Sequence, residues 1–444
     1  MVIDRLRPPV GVLEIADRLE QHGFEVWCVG GAIRDALLGH PHLDWDLATS
    51  AKPADVQRLF GHRKTIPVGL EFGTVGVLDS QGVMHEVTTF RRDVRTDGRH
   101  AEVEFGVSLD EDLARRDFTI NAVAFSPRRR EVRDPFGGQS DLRARIVRAV
   151  GDPDARMRED RLRALRGIRF AARFDFEIEP ATLRAIEASA PFLGRLSPER
   201  VKQELDKTME QIDRPSAALR IWQSSGAFDT LLPELAAAVP SALTAPDFAA
   251  KPGRARRPAR RTIRFAALLA SLTPADAGAV MRRLRASRHE IQTVVNLVSL
   301  WHTIGREMTA ALTSGELPDS VVRRWVSTIG RLQVGEFTRL VNALWEAERA
   351  QGRPAPAARS ISAVYRRMLR SAFSDPIDLG SLAVDGDDLR RAGIPPGPVL
   401  GKILQALLAA VIEEPRRNTT DWLLQEAKRR HADASRDTGD GGRT

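Results

Sequence analysis

The stretch Val26 to Thr49, VWCVGGAIRDALLGHPHLDWDLAT, constrains this chain more than any other. Val26, Trp27, Cys28 and Val29 form a short apolar run, the pattern of a buried strand. Gly30 and Gly31 follow, and Ala32 to Leu38 reads as a short helix with Gly39 suited to its C-terminal cap. After a turn containing Pro41, Leu43 to Leu47 is predicted to resume as a strand carrying Asp44 and Asp46. Side chains two apart on a strand share a face. Two carboxylates would then stand together near a glycine turn and a helix N-terminus. That is a divalent-metal site beside a phosphate site, the pairing that nucleotidyl transfer requires.

The rest of the chain narrows the class. At 444 residues it exceeds a single small core, so two to four domains are expected. No segment approaches the roughly 18 uninterrupted apolar residues of a membrane helix. The opening MVIDRLRPPVGVLEIADRLEQHGF lacks the apolar core of a signal peptide, which makes the cytoplasm the expected location. A single cysteine, Cys28, excludes an internal disulfide and a multi-cysteine zinc site, and its apolar setting reads as a buried small side chain. The net charge of +8 suits a polyanionic partner such as nucleic acid.

Val10 to Gly23 has helical spacing, and Pro53 to Phe60 reads as a second helix. Ile66 to Leu78 and Val83 to Thr89 alternate as two strands. Arg91 to Glu104 reads as a polar loop with an Asp97-Gly98 turn, and Arg128 to Asp134 as a further strand. Strands interleaved with helices predict a small catalytic head over residues 1–150. Beyond Asp154 the strand signals vanish. Arg156 to Phe174, Pro180 to Ala188, Pro198 to Gln211, Pro215 to Gly226 and Ile291 to Trp301 read as helices. The fold class is therefore α+β: a mixed sheet with helices, then an all-α region. We divide the latter into residues 151–235 and 236–430, with a polar tail over 431–444. Lys251 to Arg264 reads as a basic linker, and the tail from Asp433 as unstructured.

Three further groups carry chemistry. Glu86, in HEVTTFRRD, offers a third carboxylate beside Asp44 and Asp46; a solvated strand residue is the plain alternative. Arg115-Arg116-Asp117-Phe118-Thr119-Ile120-Asn121 is a compact polar set suited to a triphosphate or ribose. In EDRLRALRGIRF, at about 100° per residue, Leu162, Leu165 and Ile168 fall on one half while Asp160, Arg163, Arg166 and Arg169 sweep the other. The plain reading is a solvated arginine face with ion pairs one turn apart. The chemical reading is a base reader. A carboxylate accepts from an exocyclic amine and a guanidinium donates to ring acceptors, which suits the edges of C and A and rejects those of U and G. Phe170 falls on the polar half, where domain packing is its only evident use.

In order, VGGAIRDALLG with DWDLAT, TFRRD, RRDFTINA, DPFGG, EDRLRALRGIRFAARF, SPERVKQEL and GAFDTLLPEL resemble the class II tRNA nucleotidyltransferase and bacterial poly(A) polymerase family, within the polymerase-beta-like superfamily. The resemblance covers about the first 235 residues. It implies a catalytic head followed by helical neck, body and tail that grip RNA. It also implies Gly31 and Arg34 at the nucleotide, Asp44 and Asp46 on Mg2+, Arg116 at the triphosphate, Asp160 and Arg163 on the incoming base, and Arg166 and Arg169 completing the pocket. Asp134 to Gly138 matches a hinge segment. The implied reaction adds CMP and AMP from CTP and ATP to the 3′ end of tRNA, making CCA without a nucleic-acid template.

Related branches make other products. Poly(A) polymerases usually carry an extra stretch before the glycines, which is not found here. Enzymes that add only cytidines have a shortened loop where Arg91 to Glu104 is full length. Addition of the final A alone is a further branch. A non-catalytic tRNA-binding homologue would be expected to lose a metal ligand or a triphosphate arginine, yet Asp44, Asp46, Arg34 and Arg116 are all present.

Overall fold

A computed structural model describes residues 2–40, 44–96, 101–249, 257–315 and 317–437. Backbone packing divides the chain into two compact units, residues 1–238 with 283–285, and residues 239–282 with 286–444.

The first unit is built on a seven-stranded mixed sheet. Its strands are β1 (Val26–Val29), β2 (Asp46–Thr49), β3 (Thr65–Gly69), β4 (Thr74–Leu78) and β5 (Met84–Thr89), with two more supplied after a separate hairpin. That hairpin is β6 (Arg91–Thr96) and β7 (Ala101–Phe105), and β8 (Ala124–Ser126) and β9 (Glu131–Arg133) complete the sheet. The order is β3-β4-β5-β2-β1-β8-β9, antiparallel throughout except for the β2/β5 pair. The apolar run is central because both faces of β1 are covered. Val26 and Cys28 pack with Val12, Ile15 and Leu19 of the helix Val10–Gln21, while Trp27 and Val29 pack with Phe90, Leu113 and Ala122. Burial pushes the Cys28 thiol pKa far above its ordinary value, so the residue is a core side chain and no nucleophile.

Several expectations need correction. Strand β2 begins only at Asp46, so Asp44 precedes the strand; Leu43 lies outside the described residues. Ile66 to Leu78 folds back on itself as β3 and β4 around Leu70–Phe72, because Gly73 takes φ +79°, a left-handed value that favours glycine. Arg91 to Glu104 is no loop: Arg91 pairs with Phe105 and Arg92 with Glu104. Its Asp97-Gly98 turn lies outside the described residues. Strand pairing also continues past Asp154, since Ile146–Val147 runs parallel to Glu177–Ile178.

The arginine-bearing helix is two helices. Pro153–Glu159 stops at Asp160, whose backbone is extended at φ −145°, and Leu162–Phe174 restarts beyond it. The Asp160 carboxylate accepts from the Leu162 N–H at 3.0 Å and so occupies an otherwise orphaned donor at the new helix start.

The second unit is helical among its described residues. Helices Arg257–Leu269, Arg288–Leu300 and Val334–Ala350 pack together, with Val294, Leu297 and Val298 buried. The linker reading fails from Arg257 onward: that part is helical, and Arg264 is fully buried; residues 251–256 lie outside the described residues. The helix Thr420–Asp437 likewise runs through Asp433, where an unstructured tail was expected; residues 438–444 lie outside the described residues. No described helix is long and apolar enough to cross a membrane.

Candidate active site

One part of the candidate site is assembled where β1 hands over to the helix Gly31–Leu37. Gly30 turns the chain at φ +78°. A methyl group on it would stand 3.2 Å from Nη1 of Arg116 and 3.9 Å from Oδ2 of Asp46, so this turn lies between a guanidinium and a carboxylate. Strand β2 runs antiparallel to β1 with Asp46 opposite Val29, and parallel to β5 with Leu47 opposite Val87. That parallel pairing brings Glu86 next to Asp46. Burial first, and then the Glu86 charge, push the Asp46 carboxyl up to about 6; Arg116 opposes the shift and Asp44 adds to it. Among the described residues no three His, Cys, Asp or Glu side chains lie close enough to enclose a metal ion by themselves.

The arginines are held by dedicated acceptors. Arg116 donates to Asp112 at 3.2 Å, and Arg115 pairs with the same carboxylate at 2.9 Å. Burial alone would raise the Asp112 carboxyl, but Arg116 and Arg115 hold it below the usual range. Arg34 is buried, donating to Asp35 at 2.7 Å and to Asn121 at 2.6 Å. Asn121 in turn donates to Asp117 at 2.9 Å. Burial would raise Asp117 as well, but Arg166, paired with it at 2.7 Å, keeps it ionised.

The restarted helix and the residue before it supply a further part. Asp160 accepts from Arg200 at 2.8 Å. Arg163 donates to Glu159 at 2.7 Å and to the Arg115 carbonyl at 3.0 Å, so the two elements are tied together. Arg169 is buried against Glu204 at 2.6 Å. The segment Asp134 to Gly138 is a tight turn whose Asp134 carboxylate accepts from the Gly138 and Gln139 N–H groups at 2.7 and 2.9 Å.

One cavity of about 710 Å³ joins these parts. Gly31, Arg34, Asp46, Arg116, Asp160, Arg163, Arg166 and Arg169 all line it; Asp44 and Glu86 do not, and bear on it through the charge they place beside Asp46. Sequence reasoning missed Arg200 and Lys207 in the lining, and assigned no separate part to Asp117 or Asn121. The i, i+4 spacing of Asp117 and Asn121 was the available signal. Nothing local could have tied Arg200 to Asp160, which is 40 residues away.

Comparison with known proteins places this geometry in a lineage. Residues 26–148 match the poly(A) polymerase head domain, 175–239 the RNA- and SrmB-binding site of polymerase A, and 259–427 a tRNA nucleotidyltransferase domain 2. The CCA-adding enzyme of Latilactobacillus sakei is 34% identical over 419 residues, spanning 94% of this chain and 97% of that protein. The chain belongs to the class II CCA-adding enzyme and poly(A) polymerase family. A second family member, the CCA-adding enzyme of Geobacillus kaustophilus, is 35% identical over 95% of this chain and 98% of its own length. Among solved structures of the family, the Bacillus stearothermophilus CCA-adding enzyme in complex with CTP aligns with a TM-score of 0.72 at 29% identity, covering 96% of this chain and all of that one. A Thermotoga maritima CCA-adding enzyme complexed with tRNA shares the fold, with a TM-score of 0.67 at 21% identity over 96% of each chain.

Proposed function

We propose that this chain transfers CMP and AMP from CTP and ATP to the 3′-hydroxyl of tRNA, building or repairing its CCA end. The observation that carries the reading is the one cavity lined together by Gly31, Arg34, Arg116, Asp160 and Arg163. It brings triphosphate-binding and base-reading chemistry into one site. The full-length relatives named above are CCA-adding enzymes, one of them solved with CTP.

In this reaction the RNA 3′-oxygen attacks the α-phosphorus, and the bond to the bridging oxygen breaks to release pyrophosphate. Arg116 and Arg34 face the triphosphate, where negative charge accumulates on the leaving group. Gly30 and Gly31 leave room for it because no side chain intrudes. Asp44 and Asp46 would hold Mg2+, with Glu86 beside them. The fit is electrostatic: a carboxyl raised to about 6 by burial and a neighbouring carboxylate marks an excess of negative charge that a divalent cation offsets. When bound, the ion polarises the α-phosphate and favours ionisation of the attacking hydroxyl.

Asp160 and Arg163 read the base. Each Asp160 oxygen already accepts one bond, from Leu162 or Arg200, which leaves lone pairs for an exocyclic amine. Glu159 and the Arg115 carbonyl fix the Arg163 guanidinium so that it donates in one orientation. Arg166 and Arg169, fixed by Asp117 and Glu204, complete the nucleotide pocket. tRNA precursors and nucleoside triphosphates are cytoplasmic, and on this reading so is the enzyme.

The test is substitution of the carboxylates. Asp44→Ala and Asp46→Ala should each lower nucleotide incorporation by at least about a hundredfold while leaving tRNA binding within about twofold. Undiminished incorporation in either variant would remove it from the metal site.

A further inference from the structure

Phe170, on the helix Leu162–Phe174, is given no part in the reaction above. Phe170 lines the nucleotide cavity yet is only 4% exposed. Three guanidiniums surround its ring, with the central carbon of Arg169 4.4 Å from the ring centroid, that of Arg34 5.0 Å and that of Arg166 5.3 Å. Phe174 stacks on it at 6.2 Å and 13°, and shares Arg34 at 4.7 Å. Phe118 meets it edge-on at 5.9 Å and 83°. That approach depends on Gly167, where a methyl group would come within 2.9 Å of the Phe118 ring.

Three like charges around one ring repel, and each is offset by hydrogen-bonded acceptors. Asp35 and Asn121 hold Arg34, Asp117 holds Arg166, and Glu204 holds Arg169. These acceptors lie on separate elements, and each fixes one edge of one guanidinium. The ring is what the three guanidiniums share. Its π faces carry partial negative charge and attract cations, and its flat, rigid shape sets their separation. A leucine would fill similar space and supply neither effect.

We propose that Phe170 is a positioning residue for the nucleotide. The ring gathers Arg34, Arg166 and Arg169 so that the N–H groups left free by their acceptors meet the triphosphate and base together. The assignment rests on reading the cavity as the nucleotide site. It requires nucleotide affinity to depend on the electrostatic face of the ring as well as on its volume.

The experiment uses the full-length protein with 4-fluoro-, 3,5-difluoro- and pentafluorophenylalanine at position 170, together with Phe170→Leu. Fluorination weakens the negative π face in steps while changing volume little. Calorimetric Kd values for CTP and ATP, thermal midpoints and kcat for incorporation into tRNA are measured for each. The Kd for both nucleotides is expected to rise stepwise, reaching about tenfold in the pentafluoro form and in Phe170→Leu. The thermal midpoint should hold across the fluorinated series, and kcat should fall in the same order as affinity, because Arg34 also faces the leaving group. A flat Kd across the fluorinated series would overturn the proposal, as would a series in which the midpoint falls as Kd rises, both in proportion to lost packing. Because Kd is read without turnover, a stepwise series in a protein that adds no nucleotide to tRNA would uphold Phe170's role and overturn the proposed function instead.

Discussion

Asp46 shows the cost of a functional carboxylate at the scale of one residue. Its carboxyl is raised from 3.8 to about 6, mainly by burial and then by Glu86. A carboxyl raised in the folded state binds its proton more tightly there than in the unfolded chain. Its contribution therefore favours folding below pH 4, fades as pH rises from about 4 to about 6, and is absent above. Asp46→Asn should consequently abolish transfer yet stabilise the metal-free protein at pH 8. At about 1.4 kcal/mol per pKa unit the gain is at most about 3 kcal/mol, with solvent screening reducing it. Thermal melts in chelator at pH 5 and pH 8 check this: the variant should exceed the parent more at pH 8. Arg163→Ala belongs to the same scale. Its guanidinium is fixed by Glu159 and a backbone carbonyl, so its loss should change the ratio of C to A incorporated by about tenfold or more while raising nucleotide KM less. Competition between CTP and ATP on a tRNA ending before CCA measures the ratio.

At the scale of elements, the parts that hold the site are close contacts which tolerate no added atom. A methyl group on Gly138 would come within 2.1 Å of the Thr119 carbonyl and 2.6 Å of Val123, in the turn fastened by Asp134. Gly138→Ala should cost about 1–3 kcal/mol, read from urea unfolding, because the obstacle includes backbone that cannot rotate away. What could be read from the residues follows the same logic. Strand β1 was legible because both its faces are buried, which leaves an unbroken apolar run. The hairpin β6/β7 was not: it stands outside the main sheet, and β6 is polar apart from Val94, so the alternation of Ala101, Val103 and Phe105 in β7 has no matching strand pattern before it. The helix break at Asp160 was hidden because its apolar stripe continues on the far side of an extended residue. Arg34, Asp46, Arg116, Asp160 and Arg163 could be proposed from motifs, and Asp112 lies within one helical turn of the arginines it holds, whereas the acceptor Glu204 and Arg200's link to Asp160 depend on long-range packing. Phe170 looked misplaced on a polar face because its partners are the arginines themselves.

For the whole molecule, the excess of basic residues and the size of a tRNA predict that polymer binding and nucleotide binding respond differently to salt. The net charge is +8. Raising salt from about 50 to about 200 mM should weaken tRNA binding at least tenfold, since each phosphate contact releases counterions. Nucleotide Kd should change several-fold less, because the cavity arginines are buried or ion-paired. Filter binding and calorimetry across that range compare the two. The central claim is that one cavity selects C and then A at the end of tRNA. Purified full-length protein with Mg2+, CTP and ATP should therefore be offered tRNA ending before CCA, tRNA ending in C, tRNA ending in CC, and unstructured RNA, with products resolved at single-nucleotide length. The account predicts completion of CCA on all three tRNAs, stopping after one A, and little extension of unstructured RNA. Addition of A only to the CC-ending tRNA, or long A tails on unstructured RNA, would contradict it.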